Sequence, residues 1–283
     1  MPFKFPHLFE GRVGTSKNVL LYGPPGCGKS ILMKALAKES RACLMIVNSY
    51  SMLSRMVVTD QAQFVRAVFA CAIANLPCIV LMEDIEVFVD DSTNAEAREV
   101  LFQHMQSKLT ASIPVVAMTR FPWLLNKQMT LKRSFPTLAY VPIPDFPSRY
   151  LLFKTQMNAK PAASEEEVEE LANHTEGYTV SDILVVLRDA AMEPVREIQR
   201  ATHFRLEKHQ SVDKPDEMMD METLCSPSDP GAKAKKWMDI EPNQIYVKPF
   251  TVNHVKKCLS KSKPCLRADE IEQYKKFTEE NRS

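Results

Sequence analysis

Gly23-Pro24-Pro25-Gly26-Cys27-Gly28-Lys29-Ser30 fits the pattern G-x-x-x-x-G-K-[ST] and lies between the apolar run Val19 to Tyr22 and a helix-like stretch, Ile31 to Lys38. Residues of these types at this spacing bind nucleotide phosphates. The glycines let backbone N–H groups curl around the anion, and Lys29 reaches the β and γ oxygens. The Ser30 hydroxyl ligates magnesium at the positive end of the following helix. The predicted nucleotide contacts are therefore all eight loop residues, and the thiol of Cys27 falls where a backbone N–H carries the binding. A second chemical signal is the acid pair Glu83-Asp84, directly after the apolar run Ile79 to Met82. In phosphoryl transfer the first acid holds magnesium and the second orients or deprotonates the attacking water. Glu83 is assigned to the metal with Ser30, and Asp84 to the water. Acids in this place also suit a solvated strand end, and the order of loop before acids favours the catalytic reading.

These residues need strands to deliver them. Short apolar runs alternate with helix-like segments: Val19 to Tyr22, Ile31 to Glu39, Cys43 to Val47, Asp60 to Ala74, Cys78 to Met82, Ala95 to Leu109 and Val115 to Thr119. Such alternation predicts an α/β fold, a parallel sheet covered by helices on both faces, with ligands at the carboxyl ends of the strands. The prolines at 136, 142, 144 and 147 mark the exit from that layer and place a boundary near Pro147. Ser148 to Gln156 reads as a helix. Ser164-Glu165-Glu166-Glu167 reads as a capping box opening another helix to about His174, stopped by Gly177. Val180 to Thr202 is amphipathic and is expected to kink or split at Pro194. Residues 206–246, with the turn formers Cys225 to Gly231, are expected to form an irregular hairpin or loop insertion. Helical pattern returns at Val252 to Leu259 and Ala268 to Phe277, expected to bring the chain back to the small helical lid.

Composition narrows the classes further. A formal charge of +1 and 45% hydrophobic content over 283 residues suit a large domain with a smaller one, and no global charge points to nucleic acid or acidic lipid. Seven cysteines form no CxxC pair and sit near no histidine at zinc spacing, which reads as reduced thiols in a cytoplasmic compartment. The apolar runs are too short to span a bilayer, so membrane contact is expected only through partners.

Beyond single motifs, the chain resembles the AAA ATPases of the meiotic clade. The segments that carry the likeness are Pro2 to Phe9, Gly23 to Ser30, Phe121-Pro122-Trp123-Leu124-Leu125 and Gly177 to Phe204. Arg188 to Arg196, Gln199 to Phe204, Cys225-Ser226-Pro227-Ser228-Asp229-Pro230-Gly231 and Trp237-Met238-Asp239 look like the vacuolar protein sorting branch, which disassembles ESCRT-III filaments. The resemblance implies a large α/β subdomain (1–147), a helical lid (148–205 and 247–267), a β insertion (206–246) and a terminal helix (268–283) that packs back onto the large subdomain. It also implies ATP and magnesium, a hexameric ring whose central loops pull on filament subunits, and a regulator recruited by the β insertion, here through Asp229 and Pro230. The setting would be cytoplasmic, with recruitment to endosomal membranes. The family's amino-terminal microtubule-interacting and trafficking module has no counterpart in the residues read, so filament capture is expected to rest on other chains.

Several positions depart from the family pattern. The family reads Asp-Glu where this chain has Glu83-Asp84, and the shorter Asp84 is one methylene farther from the γ-phosphate; misplacement of about 1 Å can cost on the order of a hundredfold in rate. After Val115 to Thr119 the family has an asparagine that positions the water. Here Arg120 either sits against the γ-phosphate or turns to solvent, and Thr119 offers a weaker polar contact. Of the family's paired arginine fingers, Arg133 remains, followed by Ser134. The gripping loop matches Arg55-Met56-Val57, where Met56 either grips or packs at a helix start. Two functions follow: an ATPase that remodels ESCRT-III-like filaments, or a nucleotide-binding, hydrolysis-impaired regulatory or scaffolding subunit of an active paralogue's ring.

Overall fold

In the central strands, consecutive side chains are buried on opposite faces, which requires a cover on both sides of the sheet. The computed structural model describes residues 18–51, 58–88, 95–107, 110, 112–125, 134–157, 163–210 and 218–281. Five parallel strands, β1 (Val19–Tyr22), β2 (Cys43–Asn48), β3 (Cys78–Glu83), β4 (Val115–Thr119) and β5 (Thr137–Tyr140), stand in the order β2-β3-β4-β1-β5. Leu20, Val80, Met82, Val115 and Ala117 pack one face under Val65, Phe69 and Leu101 from the helices α2 (Val58–Ala74) and α3 (Ala95–Gln106). Leu21, Ile79, Leu81, Val116 and Met118 pack the other with Met33 and Ala37 of α1 (Lys29–Ser40). The predicted α/β architecture is the observed one.

The chain divides into two compact units, Met1–Ile143 with Leu266–Ser283, and Pro144–Cys265. Pro147 stands in the first turn of α4 (Phe146–Gln156), capped by Asp145, whose side chain accepts from Ser148 N–H. In the second unit α4, α5 (Glu165–His174), α6 (Val180–Arg200) and α7 (Val252–Leu259) enclose Phe153, Leu171, Ile183, Val186 and Val255. Reciprocal capping boxes start two of these helices: Ser164 with Glu167, as read from the sequence, and Thr179 with Asp182. Of the two outcomes expected at Pro194, a kink or a split, the split does not occur. α6 runs through it unbroken, because Ile183, Val186, Leu187 and Ala190 before the proline and Ile198 after it are held by packing that outweighs the lost backbone hydrogen bond. The β insertion that the resemblance implies, read from local pattern only as an irregular hairpin or loop, is an antiparallel sheet in the order β7-β6-β8, from β6 (His203–Gln210), β7 (Met218–Leu224) and β8 (Lys233–Ala234).

The last helix, α8 (Ala268–Asn281), belongs with the first unit, as the family resemblance implies, and not with the lid, where its helical pattern alone places it. Its Tyr274 and Phe277 are buried against Tyr22, Tyr140 and Leu138. The Tyr22 ring lies 5.4 Å from Tyr140 and 5.1 Å from Phe277, and its hydroxyl bonds Thr278 at 2.9 Å.

Two stability experiments follow. Phe277→Ala is expected to destabilise the first unit by about 3 kcal/mol, the lower range for emptying a buried aromatic site, read as a lowered urea midpoint. In the second unit, Lys257 and Arg196 hydrogen-bond Glu193 and hold its carboxyl down at about 2 from an ordinary 4.5. A depressed carboxyl stabilises the fold above its unfolded pKa and loses that contribution as protonation proceeds. Glu193→Gln is therefore expected to flatten the loss of stability between pH 4.5 and about 2, measured by thermal melts across that range.

Candidate nucleotide site

The loop leaves β1 under tight steric control. Tyr22 C=O accepts from Val141 N–H at 2.9 Å, so the path beyond β5 runs beside the loop. Gly23 has φ +149°, and a Cβ there would fall 2.2 Å from the Val141 carbonyl oxygen. Only glycine fits that approach. Gly28 (φ +91°) turns the chain into α1, whose first residue is Lys29.

Lys29 is 8% exposed, and its ammonium donates to Gly23 O at 2.7 Å and Pro24 O at 2.8 Å. Of its three N–H donors one is left for a phosphate oxygen. Burial lowers the Lys29 pKa, against the opposing pull of Cys27, and Arg120 lowers it further, while Asp84 and Glu86 raise it. Five side chains of the loop and strand ends therefore share one electrostatic neighbourhood.

β3 delivers Glu83 to Ser30, whose hydroxyl donates to Glu83 Oε1 at 3.0 Å. A hydroxyl and a carboxylate joined at the amino end of a helix are hard oxygen donors suited to magnesium. The donor set thus fits the predicted metal role.

Asp84 follows with φ +51°, a left-handed backbone that aspartate tolerates better than most residues. Its carboxylate does not stand alone: Arg120 Nη2 lies 3.1 Å from Asp84 Oδ1. Sequence reasoning left Arg120 between the γ-phosphate and solvent, and the structure puts it on the neighbouring acid. Thr119 Oγ1 accepts from Phe121 N–H at 3.0 Å, and Tyr274 donates its hydroxyl to the Arg120 carbonyl. Burial pushes the Tyr274 hydroxyl up to about 12, so it stays protonated as a donor. Tyr274 and Glu86 were not singled out from the sequence. Tyr274 is distant in sequence from every motif, and Glu86, with a buried oxygen unpartnered among the described residues, lies just beyond the acid pair.

Arg133 and the gripping residues Arg55, Met56 and Val57 lie outside the described residues. Asp229 accepts from Ser226 N–H at 2.9 Å and so closes its own turn, with Pro230 exposed beside it.

A phosphate loop on a strand flanked by β4 and β5, with an acid pair at the end of β3, defines a nucleotide-binding domain of the phosphate-loop class. The family profile described as "ATPase family associated with various cellular activities (AAA)" matches residues 19–143, and that of the Vps4 C-terminal oligomerisation domain matches residues 223–281. Vacuolar protein sorting-associated protein 4A of Homo sapiens is 31% identical over 291 residues, covering 99% of this chain and 66% of that protein. Vacuolar protein sorting-associated protein 4 of Dictyostelium discoideum is 30% identical over 286 residues, covering 98% of this chain and 64% of that protein. The chain thus spans about two thirds of the length of these relatives. The crystal structure of the FIGL-1 AAA domain in complex with ADP superposes with a TM-score of 0.76 at 20% identity, covering 99% of this chain and 83% of that one. The chain belongs to the AAA ATPase family, and within it is related to the Vps4 proteins.

A substitution tests the loop geometry directly. Gly23→Ala is expected to abolish nucleotide binding, because its Cβ must push the loop off the Val141 carbonyl. Retained binding of a fluorescent ADP analogue by the folded variant would refute this.

Proposed function

We propose that this chain binds ATP with magnesium and hydrolyses it as a subunit of a hexameric ring that disassembles ESCRT-III-type filaments. The observation that carries the reading is the Lys29, Ser30 and Glu83 arrangement at the mouth of β1. It supplies a buried cation for the phosphates and a hard oxygen pair for the metal. In this reading the loop residues from Gly23 to Ser30 bind the phosphates, and Ser30 with Glu83 holds magnesium, which supplies charge neutralisation at the transferred phosphoryl group. Asp84 orients the attacking water, and Arg133 reaches a neighbouring subunit's phosphates. Arg55, Met56 and Val57 grip the filament subunit. Asp229 and Pro230 present the β6–β8 sheet to a regulatory partner. The match to an oligomerisation domain and the relation to Vps4 proteins support the ring and the filament substrate, and with them a cytoplasmic protein recruited to endosomal membranes. No helix among the described residues is long and apolar enough to cross a membrane, consistent with recruitment through partners.

One observation favours the second reading, a hydrolysis-impaired subunit in an active paralogue's ring: the carboxylate assigned to the water is already paired with Arg120. Magnesium-dependent ATP hydrolysis across a protein concentration series separates the two, with Lys29→Ala as the blank. Turnover per subunit is expected to rise with concentration. ATP binding with turnover no higher than the blank would replace the ATPase reading with the second one.

A further inference from the structure

We propose that the Arg120–Asp84 ion pair is a latch opened by the terminal phosphate of a nucleoside triphosphate and left closed by a diphosphate. The proposal rests on the reading of the loop as a nucleotide site.

The two residues follow adjacent strands. Asp84 comes directly after β3 and Arg120 directly after β4, and those strands pair in parallel with Val80 beside Val115 and Met82 beside Ala117. Both side chains are therefore delivered to the same edge of the sheet as the phosphate loop. They are unequal partners. Asp84 is short, sits on a left-handed backbone and is 23% exposed in its side chain, whereas the Arg120 side chain is long and 49% exposed. The backbone that carries the guanidinium is pinned: the Arg120 carbonyl accepts from Tyr274, and the following N–H donates to Thr119. Opening the pair is thus a swing of the Arg120 side chain about a fixed point.

The charges of both residues act on the Lys29 ammonium with opposite sign, so an anion held by Lys29 enters the field of this pair. A terminal phosphoryl group offers guanidinium a more highly charged, bidentate acceptor than one carboxylate oxygen. A triphosphate then takes Arg120 from Asp84 and frees the carboxylate for the water, while a diphosphate lacks the group that competes. Because a ligand shifts an equilibrium only by its differential affinity for the two states, the closed latch must weaken triphosphate binding and leave diphosphate binding alone.

The test is a double-mutant cycle in nucleotide affinity, independent of turnover. Dissociation constants for ADP and for a non-hydrolysable ATP analogue, both with magnesium, are measured on the wild-type chain, Asp84→Asn, Arg120→Gln and the double variant, with Lys29→Ala as the blank. Asp84→Asn is expected to raise the preference for the analogue over ADP by at least about fivefold, the low end of measured couplings, with ADP affinity unchanged. Arg120→Gln is expected to lower that preference, and in its background Asp84→Asn is expected to have no further effect. A gain from Asp84→Asn that persists undiminished with Arg120→Gln would be simple relief of repulsion and would overturn the latch. So would equal changes for both nucleotides. A wild-type chain that binds neither nucleotide, and is indistinguishable from Lys29→Ala, would instead remove the nucleotide reading itself and the latch with it.

Discussion

The contact between Gly23 and the carbonyl of Val141 constrains everything around it. A strand that ends against another chain segment with no space for a methyl group must turn at once, and the turn it makes is the phosphate loop. β1 can end there because β4 and β5 pair with it on either side, so the sheet order and the loop geometry are one requirement. From that turn α1 starts with Lys29, and the lysine folds back over the carbonyls of Gly23 and Pro24. The loop is thereby braced from outside by a backbone and from inside by a charge.

The same economy shapes the acids. Reversal of their order still leaves the longer arm of Glu83 within hydrogen-bond reach of Ser30. The cost falls on the next position, where a shorter carboxylate on a left-handed backbone meets an arginine that follows β4. Two departures from the family pattern, read separately as losses, thus form one interaction. Arg120 and Asp84 are complementary in charge, and each occupies the place where the other would otherwise be isolated.

Local pattern made most of the first unit legible. β1 to β4 and the helices between them follow from apolar runs alternating with helical periodicity, and the phosphate loop from residue types at fixed spacing. β5 escaped because Thr137 to Tyr140 is four residues among prolines and becomes a strand only by pairing with β1, far away in sequence. The β6–β8 sheet is expected from the family resemblance and not from local pattern, for a related reason: His203 to Gln210 alternates charge with only Phe204 and Leu206 apolar, and its burial centres on Phe204 against Ile198 and Ile240. Of the kink or split expected at Pro194 only the split is excluded, because packing on either side of the proline holds α6 together. Within the site, the Ser30–Glu83 contact follows from motif chemistry. The Arg120–Asp84 contact depends on which strands are neighbours, and the Arg120–Tyr274 contact on which residues of α8 face β4, and local pattern supplies neither.

The position of α8 also bears on how the protein is made. Tyr22 lies at the root of the phosphate loop, and its hydroxyl partner Thr278 is 256 residues downstream. A nascent chain emerging from the ribosome can assemble β1 to β5 early, but the aromatic layer beneath the loop stays open until residues 266–281 have been synthesised, after the whole of the second unit. Completion of the nucleotide domain thus waits until the second unit has been synthesised, and a chain stalled or cleaved before α8 would carry the loop sequence without the buttress that holds Tyr22 and Arg120 in place.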